Sequence, residues 1–191
     1  LEIKAMGKEA HGSRPWFGDN AIEKLIQFFI ELKKMFPADF KDKNYWQNSI
    51  NIGIFKGGKV TNQVPEKAQI GLDIRYVTNE DREQIKAKIR QLVDSIKGVE
   101  ANIQQGEMMF LDLNSPYVKQ VNIIAKKVLG KELTITQETG ATDGRHFSTK
   151  GMDVLAFAPA MDNIHGKGEW LSLASAEDYY NIAKEFINNF K

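Results

Sequence analysis

The residues able to do chemistry concentrate between positions 138 and 171. This stretch carries Glu138-Thr-Gly-Ala-Thr-Asp-Gly-Arg-His-Phe147, an apolar run over residues 152–159, and Asp162-Asn-Ile-His165-Gly-Lys-Gly-Glu-Trp-Leu171. Neutral imidazole is a common metal ligand, and a loop at a strand end can aim one at a cleft, so His165 is a candidate ligand. The alternative is a surface-loop histidine bonded to its neighbours. In the earlier loop, glycines such as Gly140 let backbone approach a ligand closely, and Arg145 can hold a carboxylate in a two-pronged grip. A structural turn in which Asp143 caps a short helix and pairs with Arg145 explains the same residues. Farther back, His11 follows a strand pattern, Asn62 sits at a turn, and Arg75 alternates onto the strand face opposite Ile74. Each has a plain reading as a loop or surface residue.

These residues need a scaffold, and its elements are legible. Residues 1–6 alternate as a half-buried strand does, and the segment up to Pro15 reads as loop by its end. Asp19 or Asn20 can cap a helix with Ala21, Ile22, Leu25, Ile26, Phe29, Ile30, Leu32 and Phe36 at helical spacing, ended by Pro37. Residues 49–55 form a strand with Ile50, Ile52 and Ile54 on one face, and residues 68–76 form another after the Gly57-Gly58 turn. Thr78 or Asn79 caps a helix with Ile85, Ile89, Leu92, Val93 and Ile96 inward, and residues 99–105 are a last strand. The order is βαββαβ, a ferredoxin-like sandwich of two helices on a four-stranded antiparallel sheet.

Composition then shifts at a hydrophobic connector beginning with Met108. Ser115-Pro116 opens a helix with Val118, Val121, Ile124, Ala125 and Val128 inward, closed by Gly130. Strands are expected at residues 133–136 and 152–157, and a final helix capped by Ser175. This half is thin for an independent domain and reads as the completion of a larger sheet. The expected division is 1–109 and 110–191, and the fold class is α/β overall with an α+β first half.

Bulk properties narrow the function. A net charge of +1, with no aromatic stripe on the strands, argues against a nucleic-acid or membrane-surface binder. With no cysteine there is no disulfide and no thiolate metal site, which fits a cytoplasmic protein and leaves His, Asp and Glu as possible ligands. No apolar run approaches the ~20 residues of a membrane span. Nucleophile-elbow, phosphate-loop and dinucleotide motifs are all missing.

Five motifs in order carry a resemblance: Gly7-Lys-Glu-Ala-His11-Gly-Ser-Arg-Pro15 with Asn20-Ala-Ile, Gly57-Gly-Lys-Val-Thr-Asn62-Gln-Val-Pro65, Leu72-Asp-Ile-Arg75, Gly140-Ala-Thr-Asp-Gly-Arg145, and His165 before Gly-Lys-Gly-Glu169. Together they resemble the C-terminal half of the di-zinc metallopeptidase superfamily that includes succinyl-diaminopimelate desuccinylase, acetylornithine deacetylase, aminoacylase and glutamate-releasing carboxypeptidases. The resemblance implies a lid and dimerisation domain over residues 1–109 and the C-terminal part of a catalytic domain over 110–191. It implies that His165 ligates one of two zinc ions. By the same resemblance, His11 stabilises the oxyanion in the partner subunit's site, Asn62 and Arg75 bind the substrate's carboxylate and polar groups, and Gly140, Thr142 and Arg145 border the pocket. The implied activity is zinc-dependent hydrolysis of an amide in an N-acyl amino acid or small peptide, by a homodimer. The family's other metal ligands and its catalytic carboxylate precede the lid, so this segment alone is expected to be inactive. The competing expectation is a noncatalytic dimerisation or small-ligand module.

Overall fold

The computed structural model describes residues 1–37, 46–107, 109, 112–136 and 140–189. Glu138, Thr139 and most of the connector opened by Met108 lie outside the described residues. The chain forms two compact units, Leu1–Gly106 and a second made of Glu107–Thr136 with Gly140–Lys191.

The first unit contains β1 (Glu2–Met6), β2 (Ala10–His11), α1 (Ala21–Lys33), β3 (Ser49–Gly57), β4 (Gln63–Val64), β5 (Lys67–Arg75), α2 (Asn79–Ser95) and β6 (Val99–Asn102). Four strands make an antiparallel sheet in the order β3-β5-β1-β6, as the βαββαβ pattern requires. Alternation sends Ile3 and Ala5, Ala68, Ile70 and Leu72, and Val99 to one face, where α1 and α2 bury them. Asn20 caps α1 by accepting from the Ile22 and Glu23 amides, and Thr78 caps α2 by accepting from Asp81.

Two details differ from the periodicity. The ladder between β3 and β5 slips by one residue between Ile52 and Ile54, which leaves Gly53 as an extra residue. This bulge turns Ile54 to the sheet's open face, opposite Gly71, and brings Phe55 to the helix side, opposite Ile70. Ile50, Ile52 and Ile54 therefore do not share a face. In α1 the buried line is Ala21, Leu25, Phe28 and Leu32, whereas Ile26 and Ile30 are exposed. A helix that is apolar on two sides satisfies a single-face pattern with residues from both.

The second unit contains α3 (Pro116–Leu129), α4 (Gly144–Ser148), β7 (Met161–Asp162), β8 (Trp170–Leu171) and α5 (Leu173–Asn188). Ser115 caps α3 through the Tyr117 amide, its hydroxyl donates to Asp153 at 3.0 Å, and Gly130 closes the helix at φ 71°. Helices α3 and α5 enclose a small core of Val121, Ile124, Ala125 and Ile182. The strands expected at 133–136 and 152–157 form no ladder among the described residues, and Met152 is 56% exposed. A strand exists only by pairing, and among the described residues no neighbour offers its edge to either segment. The cap of α5 is Ser172 rather than Ser175; Ser175 lies in the first turn, where its Oγ accepts from the Ala160 amide at 2.8 Å. Among the described residues no helix is long and apolar enough to cross a membrane.

Candidate functional site

The segment carrying His11 is built by close backbone crossings. Lys8 and Asp19 exchange both amide hydrogen bonds at 2.8 and 2.9 Å, and a Cβ on Gly7 would collide with the Asp19 carbonyl oxygen. Ala10 and His11 form β2, which pairs with β4 so that His11 stands opposite Gln63. Gly12 then donates its amide to the Asn62 carbonyl at 2.7 Å. A Cβ on Gly12 would lie 2.8 Å from the Asn62 carbonyl carbon, so only glycine permits this approach. Gln63 Nε2 donates to Glu9 Oε2 at 2.8 Å and braces the ladder. His11 and Asn62 are thereby brought together.

The His11 ring is exposed, and its Nδ1 faces Ser13: the Ser13 amide donates to Nδ1 at 3.2 Å and Ser13 Oγ lies 2.8 Å away. Nothing in the sequence reading singled out Ser13, although it stands in the same motif. The exposed aromatic pair Trp16 and Phe17 follows directly, ring centroids 6.0 Å apart.

Arg75 is not part of this group. It ends β5, opposite Ser49, whereas the β2–β4 ladder adjoins the beginning of β5. Nine residues of strand separate the two ends by roughly 25 Å. On the open face Arg75 binds Asp73 Oδ2 through Nη2 at 2.9 Å and Nε at 3.2 Å. The strand carrying it is central in the sheet, not an edge.

In the second unit, Thr142 starts the turn into α4: its carbonyl accepts from the Arg145 amide at 3.2 Å and its Oγ1 from the Gly144 amide at 3.4 Å. Asp143 occupies the cap position without a side-chain cap bond, and no Asp143–Arg145 ion pair forms among the described residues. Arg145 Nε is buried and has no hydrogen-bond partner there. Gly140 has open space around it, whereas a Cβ on Gly144 would meet Met109 Sδ at 2.7 Å and Val154 Cγ1 at 2.8 Å. Gly144 is therefore the packing glycine of this loop.

His165 lies in the loop of the β7–β8 hairpin, exposed and at φ 62°. Asn163 shares that left-handed conformation; its side chain donates to the Lys167 carbonyl at 3.1 Å and its carbonyl accepts from Gly166 at 2.7 Å. Left-handed backbone at a histidine is uncommon and concentrates at functional positions. Among the described residues no hydrogen bond or ion pair links His165 to residues 140–145. Among the described residues no group of three or more His, Cys, Asp or Glu could hold a metal ion, so His165 belongs to no such group. Among the carboxyls held below their usual range, Glu31 by the Lys34 hydrogen bond and Asp81 by the Thr78 hydroxyl lie on α1 and α2.

The sequence and the fold are similar to those of known proteins. The family model described as the peptidase dimerisation domain matches residues 1–100. A succinyl-diaminopimelate desuccinylase from Nitratiruptor sp. is 25% identical over 98% of this chain and 52% of its own length. The crystal structure of a tripeptidase from Staphylococcus aureus superposes with a TM-score of 0.77 at 22% identity, covering 97% of this chain and 49% of that one. That of aminopeptidase PepT from Bacillus cereus gives 0.66 at 25% identity, covering 97% and 51%. The chain thus spans about half the length of the relatives it matches. With its βαββαβ unit and its five ordered motifs, the chain belongs to the M20 peptidase dimerisation domain family.

Proposed function

We propose that this chain is part of a zinc-dependent hydrolase that cleaves an amide bond in N-acyl amino acids or small peptides. Residues 1–109 act as lid and dimerisation domain and residues 110–191 as the C-terminal part of the catalytic domain. The relatives named as a desuccinylase and a tripeptidase have amide hydrolysis in common, which supports the reaction class.

One observation carries the reading of the site: His11 and Asn62 stand together at one end of β5 and Arg75 at the other. No single small substrate spans roughly 25 Å of strand. In a two-fold dimer the two ends can serve different clefts, so Arg75 of one protomer meets a substrate whose reacting carbonyl faces His11 and Asn62 of its partner. His11 then donates to the oxyanion, a contribution of several kcal/mol in such sites. Arg75, held flat by Asp73, keeps outward N–H donors for the substrate carboxylate. Gly140, Thr142 and Arg145 border the pocket.

The edge strand and first helix supply the dimer contact. Strand β3 has an unpaired side, exposes Ile52, Ile54 and Phe55, and runs beside α1, whose Ile26 and Ile30 are also exposed. An edge with apolar residues flanking it invites pairing with a second copy.

His165 contributes one metal ligand; its exposed ring at the tip of a hairpin loop suits that role, while the partners it needs are not among the described residues. Zinc, when bound, polarises the scissile carbonyl. The second unit's exposed Leu113, Ile135, Trp170 and Leu173, over a small core, accord with a surface meant to be covered by more of the same domain.

The test is zinc titration with an activity assay on a panel of N-acyl amino acids and short peptides, using this chain and a longer protein containing it. Zinc-dependent hydrolysis is expected from the longer protein only. Activity in this chain alone would refute the division of the site. A longer protein inactive on the whole panel would favour a noncatalytic dimerisation or small-ligand module.

A further inference from the structure

We propose that Ser13 is a positioning residue that sets the tautomer and the aim of His11. The proposal rests on the reading of His11 as an oxyanion donor and adds to it the reason why a donor is presented.

A backbone amide can only donate. The Ser13 N–H directed at His11 Nδ1, at 3.2 Å, therefore makes Nδ1 the bare acceptor of the ring. The Ser13 hydroxyl, 2.8 Å from the same nitrogen, can donate alongside it. A neutral imidazole has one proton, so it resides on Nε2, and the hydrogen bond at one ring nitrogen decides the state of the other. Both Ser13 groups approach from the Nδ1 side, which leaves Nε2–H pointing away from the loop. The backbone behind the ring is held by the ladder of His11 with Gln63 and by the Gly12–Asn62 bond at 2.7 Å. Ring and backbone are thus both constrained before substrate arrives, which is the preorganisation an oxyanion donor needs.

Nitrogen-15 NMR of the imidazoles tests the tautomer in this chain without any activity. At a pH where the ring is neutral, the share of His11 protonated on Nδ1 is expected to be at least about fivefold smaller in the folded chain than in the urea-unfolded chain, about fivefold being typical of each added hydrogen bond. An equal or larger share in the folded chain overturns the proposal. Kinetics of the longer protein give the second readout. Ser13→Ala is expected to lower kcat about fivefold at unchanged KM, Ser13→Thr to restore it, and Ser13→Ala to have no effect in a His11→Ala background. A loss that persists without His11 contradicts the positioning role. If His11→Ala leaves kcat unchanged, the oxyanion reading fails by itself, and the Nδ1-protonated share of His11 measured in Ser13→Ala against the unaltered chain still decides what the Ser13 hydroxyl does: a rise is expected, and an unchanged share overturns its positioning role.

Discussion

The amide of Gly12 and the carbonyl of Asn62 meet at 2.7 Å, and this one bond ties together two motifs fifty residues apart in sequence. A methyl group on Gly12 would press on the Asn62 backbone, which cannot swing aside as a flexible side chain would. Gly12→Ala is expected to cost about 1–3 kcal/mol in urea unfolding. It should also speed hydrogen exchange at the Gly12 and His11 amides. Unchanged stability and exchange would mean that the crossing is not tight in solution.

Lys24 fastens the start of α1 to the sheet. Its side chain is 12% exposed, and its ammonium donates to the Met6 carbonyl at 2.9 Å and the Lys97 carbonyl at 2.7 Å and pairs with Asp19. Lys24→Met keeps the stem but leaves two carbonyls without that donor. A loss of about 1.5–3 kcal/mol is expected by chemical denaturation, against less than about 1 kcal/mol for Asp19→Asn, whose carboxylate is more exposed.

His165 bears a backbone cost that glycine would not. Its φ of 62° disfavours a side chain by about 1 kcal/mol, and the entropy of an added glycine offsets most of that gain. His165→Gly should therefore change stability by no more than about 0.5 kcal/mol, while His165→Val destabilises the hairpin by more. Zinc-dependent turnover in the longer protein should fall by orders of magnitude in both. Retained turnover in His165→Gly would remove this residue from the metal site.

The exposed apolar line of α1 and the edge of β3 should govern association. Ile30→Glu and Phe55→Glu are each expected to weaken the dimer by about tenfold or more, read by sedimentation equilibrium, with the circular dichroism unchanged. A dimer indifferent to both changes would place the contact elsewhere.

Local chemistry explains which elements were readable beforehand. Asn20, Thr78 and Ser115 are short polar side chains placed before apolar helical spacing, and each caps its helix. The order of strands and helices in the first unit likewise follows from period and turn residues. The Gly53 bulge did not follow, because one extra residue leaves the sequence pattern intact and changes only the pairing partner. Nor did the lack of a ladder at 133–136 and 152–157 among the described residues, since a strand-like pattern states a preference for an edge without providing one.

The site shows the same separation. Residue types and motif order by themselves marked His11, Asn62, Arg75, Arg145 and His165 as groups able to bind or polarise, because those properties belong to single side chains. Which of them act together is a matter of strand register. The β2–β4 ladder joined His11 to Asn62, the length of β5 set Arg75 apart from both, and the turn after His11 placed Ser13 against its ring. Those distances come from hydrogen bonds between segments remote in sequence, which only the folded chain brings into contact.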